Sequence, residues 1–169
     1  FEVINPSTEE VCGTISLGGE ADTNAAVEAA RQAFDSWSQT SKDERVVLLE
    51  KLLSIYNSRA DEMALAISTE MGAPIALSRT AQCGAGAAHI KNLIRALKGY
   101  EFERPLSERA ADNRIIHEAV GVCALITPWN WPMNQVTLKV VAALATGCTM
   151  VLKPSEISPL SSMLFAEMI

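Results

Sequence analysis

Ile126-Thr127-Pro128-Trp129-Asn130-Trp131-Pro132, read together with Leu152-Lys153-Pro154-Ser155-Glu156, decides the fold of this chain. Each of these polar loops follows a short apolar run. Val120 to Ile126, bounded by Gly121 and Pro128, has the Val/Ile/Leu content of a strand buried on both faces, and Cys148 to Leu152 reads the same way. Between them, Met133 to Thr146 sets Val136, Val140, Val141 and Leu144 at helical spacing and stops at Gly147, the residue type that closes helices in the left-handed conformation. Ser158 as N-cap and Pro159 at the first helical position predict another helix after the second strand. Two strands joined by a helical crossover lie parallel with a right-handed connection, so both loops leave the carboxyl edge of one sheet. Ligands of open α/β sheets bind at that edge.

Upstream, Glu2 to Ile4, the turn Asn5-Pro6-Ser7-Thr8 and Val11 to Leu17 read as a hairpin. A helix follows Gly18-Gly19, with Asp22 or Thr23 as cap and Ala26, Val27, Ala30, Phe34 and Trp37 on one face. Ser41-Lys42-Asp43-Glu44 is a capping box that opens a helix with Leu48, Leu52, Ile55 and Tyr56 inward. Ala60 to Met71 predicts another helix, closed by Gly72 and Pro74. Ile75 to Lys98 is helical and rich in alanine, with Gly84 and Gly86 marking close packing, and Gly99 ends it. No strand precedes these glycines, which argues against a phosphate loop. Tyr100 to Glu103 and Arg114 to His117 then flank Arg104-Pro105-Leu106-Ser107-Glu108, a charged hairpin with too little core to stand alone, and so a candidate intersubunit arm.

Composition narrows the function. With 49% hydrophobic and 20% charged residues the chain is an ordinary globular protein, and its net charge of -6 argues against nucleic acid or an anionic membrane as partner. Residues 119 to 138 are uncharged, but Gly121, Pro128, Asn130, Pro132, Asn134 and Gln135 interrupt them before they could span a bilayer. Cys12, Cys83, Cys123 and Cys148 show no disulfide-like or C-x-x-C spacing, so reduced thiols and a cytoplasmic location are expected, with Cys123 and Cys148 as inert strand residues. His89 and His117 stand alone, without metal-type neighbours. The opening Phe1-Glu2-Val3-Ile4 is strand-like rather than a signal peptide, and the last helix breaks off, so the chain reads as truncated at both ends.

Pro128 and Pro132 leave Asn130 little backbone freedom. A carboxamide held so is either a pre-organised donor for charge developing on a carbonyl oxygen or an asparagine satisfying turn amides. Lys153 and Glu156 stand either as a ribose-binding pair or as a surface ion pair. The usual G-x-G-x-x-G is absent.

I-T-P-W-N-W-P at 126–132, L-K-P-S-E at 152–156 and the intervening K-V-V-A-A-L-A-T-G-C-T-M-V resemble the cofactor-domain signature of the NAD(P)-dependent aldehyde dehydrogenase superfamily. The opening N-P-S-T-E-E-V, A-A-V-E-A-A-R-Q-A-F, E-R-V-V-L-L-E-K-L and E-M-G-A-P are similar to that family's N-terminal segment, so the resemblance covers the whole chain. It implies the N-terminal helices and first strands of a Rossmann-like parallel-sheet cofactor domain, truncated: residues 1–100 as hairpin and helical part, 101–118 as an oligomerisation arm, and 119–169 as the first β-α-β-α of the dinucleotide fold.

By resemblance, Asn130 matches the oxyanion-hole asparagine. Ile126, Thr127, Pro128 and Trp129 match the segment along the cofactor, and Lys153 and Glu156 the pair that holds the adenosine ribose. The glutamate favours NAD over NADP, because it would repel a 2'-phosphate. Trp131, Gln135 and Leu138, at i, i+4 and i+7, match positions lining the aldehyde tunnel. Trp131 stands where relatives usually carry Phe or Tyr, and Gln135 is polar where an apolar residue is also common. None of the four cysteines matches the family's nucleophile, which is expected after residue 169 with the general-base glutamate, so these residues alone are expected to be inactive. The expectation is oxidation of a small-molecule aldehyde to a carboxylic acid through a cysteine thioester, in a homodimer or homotetramer of the full-length protein. Two alternatives stay open, a dehydrogenase that transfers the acyl group to coenzyme A and a non-catalytic cofactor-binding or oligomerisation protein.

Overall fold

The structure, a computed structural model, describes residues 1–169. Strands β1 (Glu2–Asn5) and β2 (Glu10–Thr14) form the antiparallel hairpin that the Asn-Pro turn predicts, with Asn5 Oδ1 accepting from Ser7 N at 2.9 Å. Helix α1 (Glu20–Trp37) begins earlier than the sequence suggests. Its cap is Gly19 rather than Asp22 or Thr23, and Asp22 instead accepts from Gly19 N at 2.8 Å as the third helical residue. Of the expected inward face only Ala30 is buried and Val27 is exposed, because α1 touches β6 and β5 along one narrow line.

The Ser41 capping box opens α2 (Lys42–Ser58) as expected, with Glu44 N donating to Ser41 Oγ. The inward stripe is rotated from the expected one. Val46, Leu49, Leu52 and Tyr56 are buried with Arg45, while Leu48 and Ile55 are only half-buried at its edges. Arg45 escapes the cost of an unpaired buried charge by donating to Thr40 Oγ1 and Ser38 O, both at 2.9 Å, and by lying over the Phe102 ring. Helix α3 (Ala60–Met71) ends at Gly72, whose φ of 75° is the left-handed conformation that glycine adopts without strain. The helical run from Ile75 to Lys98 is broken in register rather than uniform. A short α4 (Ile75–Leu77) passes through a π-turn (Ser78–Gln82) into α5 (Cys83–Lys98).

Strands β3 (Glu103–Ser107) and β4 (Ala110–Ile116) form an antiparallel ribbon. Residues 104–107 pair as strand rather than forming the tip, so the turn is at Glu108 and Arg109. All five β3 residues are exposed, as expected of a ribbon without core of its own.

Strands β5 (Val122–Ile126) and β6 (Thr149–Lys153) are parallel and joined by α6 (Pro132–Ala145), the crossover that the periodicity predicts. Gly147 closes α6 with φ 78°. Neither strand is buried on both faces, contrary to the apolar-run reading. Leu125, Met150 and Leu152 pack against the core, but Ala124 and Ile126 are exposed. The core lies among α2, α3, α5, α6 and α7 (Leu160–Ala166), centred on Leu49, Tyr56, Met63, Ile67, Ile90, Met133, Val136, Val141 and Phe165. Gly86 lets α5 approach α2 closely, for a Cβ there would collide with the Tyr56 ring and hydroxyl.

Helix α7 is not capped by Ser158. Pro159 is the cap residue without a side-chain hydrogen bond, and the capping acceptor comes from another element. The Glu70 carboxylate of α3, 1% exposed, accepts from Leu160 N at 2.5 Å, from Ser161 N at 3.3 Å and from Ser161 Oγ at 2.5 Å. Burial pushes its carboxyl up to about 7, against the pull of these donors.

Candidate functional site

The register of β5 and β6 places the two loops side by side. Ile126 and Lys153 are paired at the ends of their strands, and Thr127 N donates to Lys153 O at 3.2 Å, extending the ladder one step into the first loop. Ser158 Oγ donates to Trp129 O at 3.2 Å, which ties the end of the second loop to the first. Lys139 of α6 reaches back to the Ile126 carbonyl at 2.5 Å. The edge is therefore braced from the neighbouring strand, the following turn and the crossover helix.

Within the first loop, Thr127 turns inward at 4% exposure, whereas Ile126, Pro128, Trp129 and Asn130 face solvent. Trp131 is the N-cap of α6 by its backbone, with φ -145° and ψ 70°, and no side chain caps that helix. The turn amides are thus not the reason for Asn130, in contrast to Asn5, which does serve its turn. Pro132 at the first helical position fits a place where no amide donor is needed. Gln135 N donates to Trp131 O at 3.0 Å, so Trp131, Gln135 and Leu138 follow each other along one side of α6; Trp131 and Leu138 are exposed and Gln135 is half-buried.

In the second loop, Lys153 Nζ and Glu156 Oε2 are 2.8 Å apart, so the pair exists as an ion pair of two exposed groups. The hydrogen bond from Lys153 holds the Glu156 carboxyl below the usual carboxylate range. An ionised acceptor beside a cation at the carboxyl edge of parallel strands suits a diol, and such an exposed pair contributes little to stability.

The cysteines are placed away from this edge. Cys148 precedes β6 at its amino end, five residues and roughly 16 Å of strand from Lys153. Burial raises the Cys83, Cys12 and Cys123 thiols, Cys83 to about 11, whereas Cys148 is lowered by hydrogen bonds from Thr146 Oγ1 and the Val120 and Gly121 amides against the opposing effect of its burial. All four are free thiols. The histidines, isolated in sequence, have partners in space, His89 with Asn134 and His117 with Tyr100. Residue periodicity shows none of these long-range pairings, nor the contacts of Glu70, Ser158 and Lys139. No helix is long and apolar enough to cross a membrane.

The sequence profile described as the aldehyde dehydrogenase family matches residues 1–169. A 3-succinoylsemialdehyde-pyridine dehydrogenase from Pseudomonas is 52% identical over 167 residues, covering 98% of this chain and 34% of its own length. An aldehyde dehydrogenase structure from Bartonella henselae superposes with a TM-score of 0.95 at 54% identity, over 99% of this chain and 35% of that one. A mutant aldehyde dehydrogenase C from Pseudomonas syringae, crystallised with NAD+ and octanal, superposes with a TM-score of 0.94 at 46% identity, over 99% and 34%. This chain therefore spans about a third of the length of the relatives it matches.

Proposed function

Because this chain belongs to the aldehyde dehydrogenase family, we propose that the protein oxidises an aldehyde to the carboxylic acid with NAD as hydride acceptor. The observation that supports the reading is the pairing of Ile126 with Lys153, continued by the Thr127 to Lys153 hydrogen bond, which sets the two loops side by side at the carboxyl edge of the parallel strands, the edge at which open α/β sheets bind ligands. Solved relatives from Pseudomonas syringae and Staphylococcus aureus were crystallised with NAD+.

The residues present fit that cofactor. Glu156 and Lys153 take the ribose hydroxyls, the carboxylate as acceptor and the ammonium as donor. The ionised Glu156 disfavours the extra phosphate of NADP, which makes NADP the second choice. Exposed Ile126, Pro128 and Trp129 lie along the dinucleotide, and Thr127 serves as the buried anchor of that segment. Bound there, NAD supplies hydride acceptance. Asn130 donates its carboxamide N–H to the aldehyde oxygen as negative charge develops on it. Trp131, Gln135 and Leu138 line the approach of the substrate.

The nucleophile is a cysteine outside these 169 residues. Cys148 and Cys123 lie up-strand of the edge, and burial raises the Cys12 and Cys83 thiols. The general base also lies outside, so the 169 residues hold half of a catalytic site and turn over nothing alone. The exposed β3–β4 ribbon acts as an arm between subunits of a homodimer or homotetramer of the full-length protein. The four unpaired thiols suit a cytoplasmic enzyme.

An aldehyde panel assayed for NADH formation with the full-length protein, with NAD and with NADP, tests the reading. Acid product without coenzyme A supports it. Turnover only with coenzyme A replaces hydrolysis by acyl transfer, and no reduction of either nucleotide refutes the enzyme reading in favour of a binding or assembly role.

A further inference from the structure

Glu156 occupies a turn that is closed on itself. Ser158 N donates to Ser155 O and Ile157 N to Ser155 Oγ, both at 3.2 Å, so Glu156 and Ile157 are the central residues of a β-turn. Upstream, the turn hangs from the last rung of β6, where Lys153 pairs with Ile126. Downstream, only Pro159 separates it from Leu160 and Ser161, the first two residues of α7.

Those two residues are held from α3. Glu70 accepts from both of their amides and from the Ser161 hydroxyl. Helix α7 has no cap of its own to replace it, since Pro159 makes no side-chain hydrogen bond and Ser158 gives its hydroxyl to the Trp129 carbonyl. Ser161 is 0% exposed, so water cannot stand in for the carboxylate as acceptor. The span from Glu156 to Leu160 consists of part of the closed turn and a proline, whose ring fixes φ. A shift of the α7 start is therefore passed to Glu156 rather than absorbed between them. The first loop has ties that bypass this turn, from Lys139 to the Ile126 carbonyl and from Thr127 N to the Lys153 carbonyl, so Asn130 depends on it less.

We propose that Glu70 is a positioning residue for the cofactor: by accepting from the start of α7, it holds the Ser155–Ser158 turn where Glu156 meets the ribose hydroxyls. Glu70 itself touches neither cofactor nor substrate. The proposal rests on the assignment of Glu156 to the ribose made above.

The test is steady-state kinetics of the full-length enzyme at about pH 8, where the Glu70 carboxyl, pushed up to about 7 by burial, is ionised. In Glu70→Gln one oxygen still accepts, but the new NH2 group opposes the Ser161 N–H. KM for NAD is expected to rise by about three- to tenfold, the upper bound being the loss of Glu156 itself, with kcat and the aldehyde KM at saturating NAD within about twofold of wild type. Ser161→Ala, a milder change should Glu70→Gln fold poorly, raises KM for NAD by a smaller factor. In Glu70→Gln/Glu156→Ala the effect of Glu70 disappears, KM staying within about twofold of Glu156→Ala alone, because a residue that acts through another is not additive with it. An unchanged KM for NAD in both Glu70→Gln and Ser161→Ala, a loss of kcat as large as the rise in KM, or factors that multiply in the double variant overturns the proposal while leaving the cofactor site intact. An unchanged KM for NAD in Glu156→Ala instead overturns the assignment on which it rests.

Discussion

Replacing Glu70 by Gln removes a titratable group whose burial couples stability to pH. The carboxylate is 1% exposed and accepts three hydrogen bonds at the start of α7, yet desolvation outweighs them and pushes it up to about 7 from an ordinary value of 4.5. A folded value above the unfolded one means that the folded state holds the proton more tightly. The group's contribution is then fully present below about pH 4.5 and is lost as pH rises through about 7. A shift of that size corresponds to about 3 kcal/mol at 1.36 kcal/mol per unit. Urea denaturation from pH 4.5 to 8 should show wild-type stability falling relative to Glu70→Gln by about this amount. The difference between the two curves isolates Glu70 from the other carboxylates. Parallel curves would refute the reasoning, because they would mean that the three donors at α7 hold the carboxylate ionised after all. Glu70→Ala should be destabilising at every pH, by about 3 kcal/mol or more, since it leaves the Leu160 and Ser161 amides and the Ser161 hydroxyl without an acceptor.

Gly86→Ala should destabilise by about 1–3 kcal/mol, the range for overpacking a core, because the added methyl meets the Tyr56 ring and lies 3.2 Å from Met133 Cβ; an unchanged urea midpoint would contradict the close approach of α5 to α2. Glu156→Ala should raise KM for NAD by about tenfold, the loss of one charge-assisted hydrogen bond, while the thermal midpoint stays put because the Lys153 pair is exposed; an unchanged KM in steady-state kinetics would remove Glu156 from the cofactor site.

Local pattern was enough for the β5–α6–β6 unit, since the apolar runs, the stripe of Val136, Val140 and Val141, and Gly147 all act within a few residues of one another. The shared edge of the two loops followed from strand direction alone. Burial was less legible. Leu49 is buried and Leu48 half-buried, although both fit an apolar stripe, and only the position of α5 and α6 selects between them. Ala124 and Ile126 are exposed because covering a strand depends on other layers, which the strand's own composition does not encode. Ser158 does not cap α7 for a related reason: the acceptor that does the capping is 90 residues away, and Ser158 is drawn instead to the Trp129 carbonyl. The partnership of His89 with Asn134 was equally hidden, since it exists only where two helices meet.

The proposed division of labour, adenosine ribose at Lys153 and Glu156 and substrate oxygen at Asn130, is tested most directly by Asn130→Ala in the full-length enzyme, measured for both turnover and NAD affinity. The account predicts kcat lower by about 10²–10³, the cost of one lost oxyanion donor, with the dissociation constant of NAD within about twofold of wild type, less than the loss of one typical hydrogen bond. Near wild-type turnover under conditions where acylation or hydride transfer limits the rate, or a loss of NAD affinity matching the loss of turnover, would contradict it.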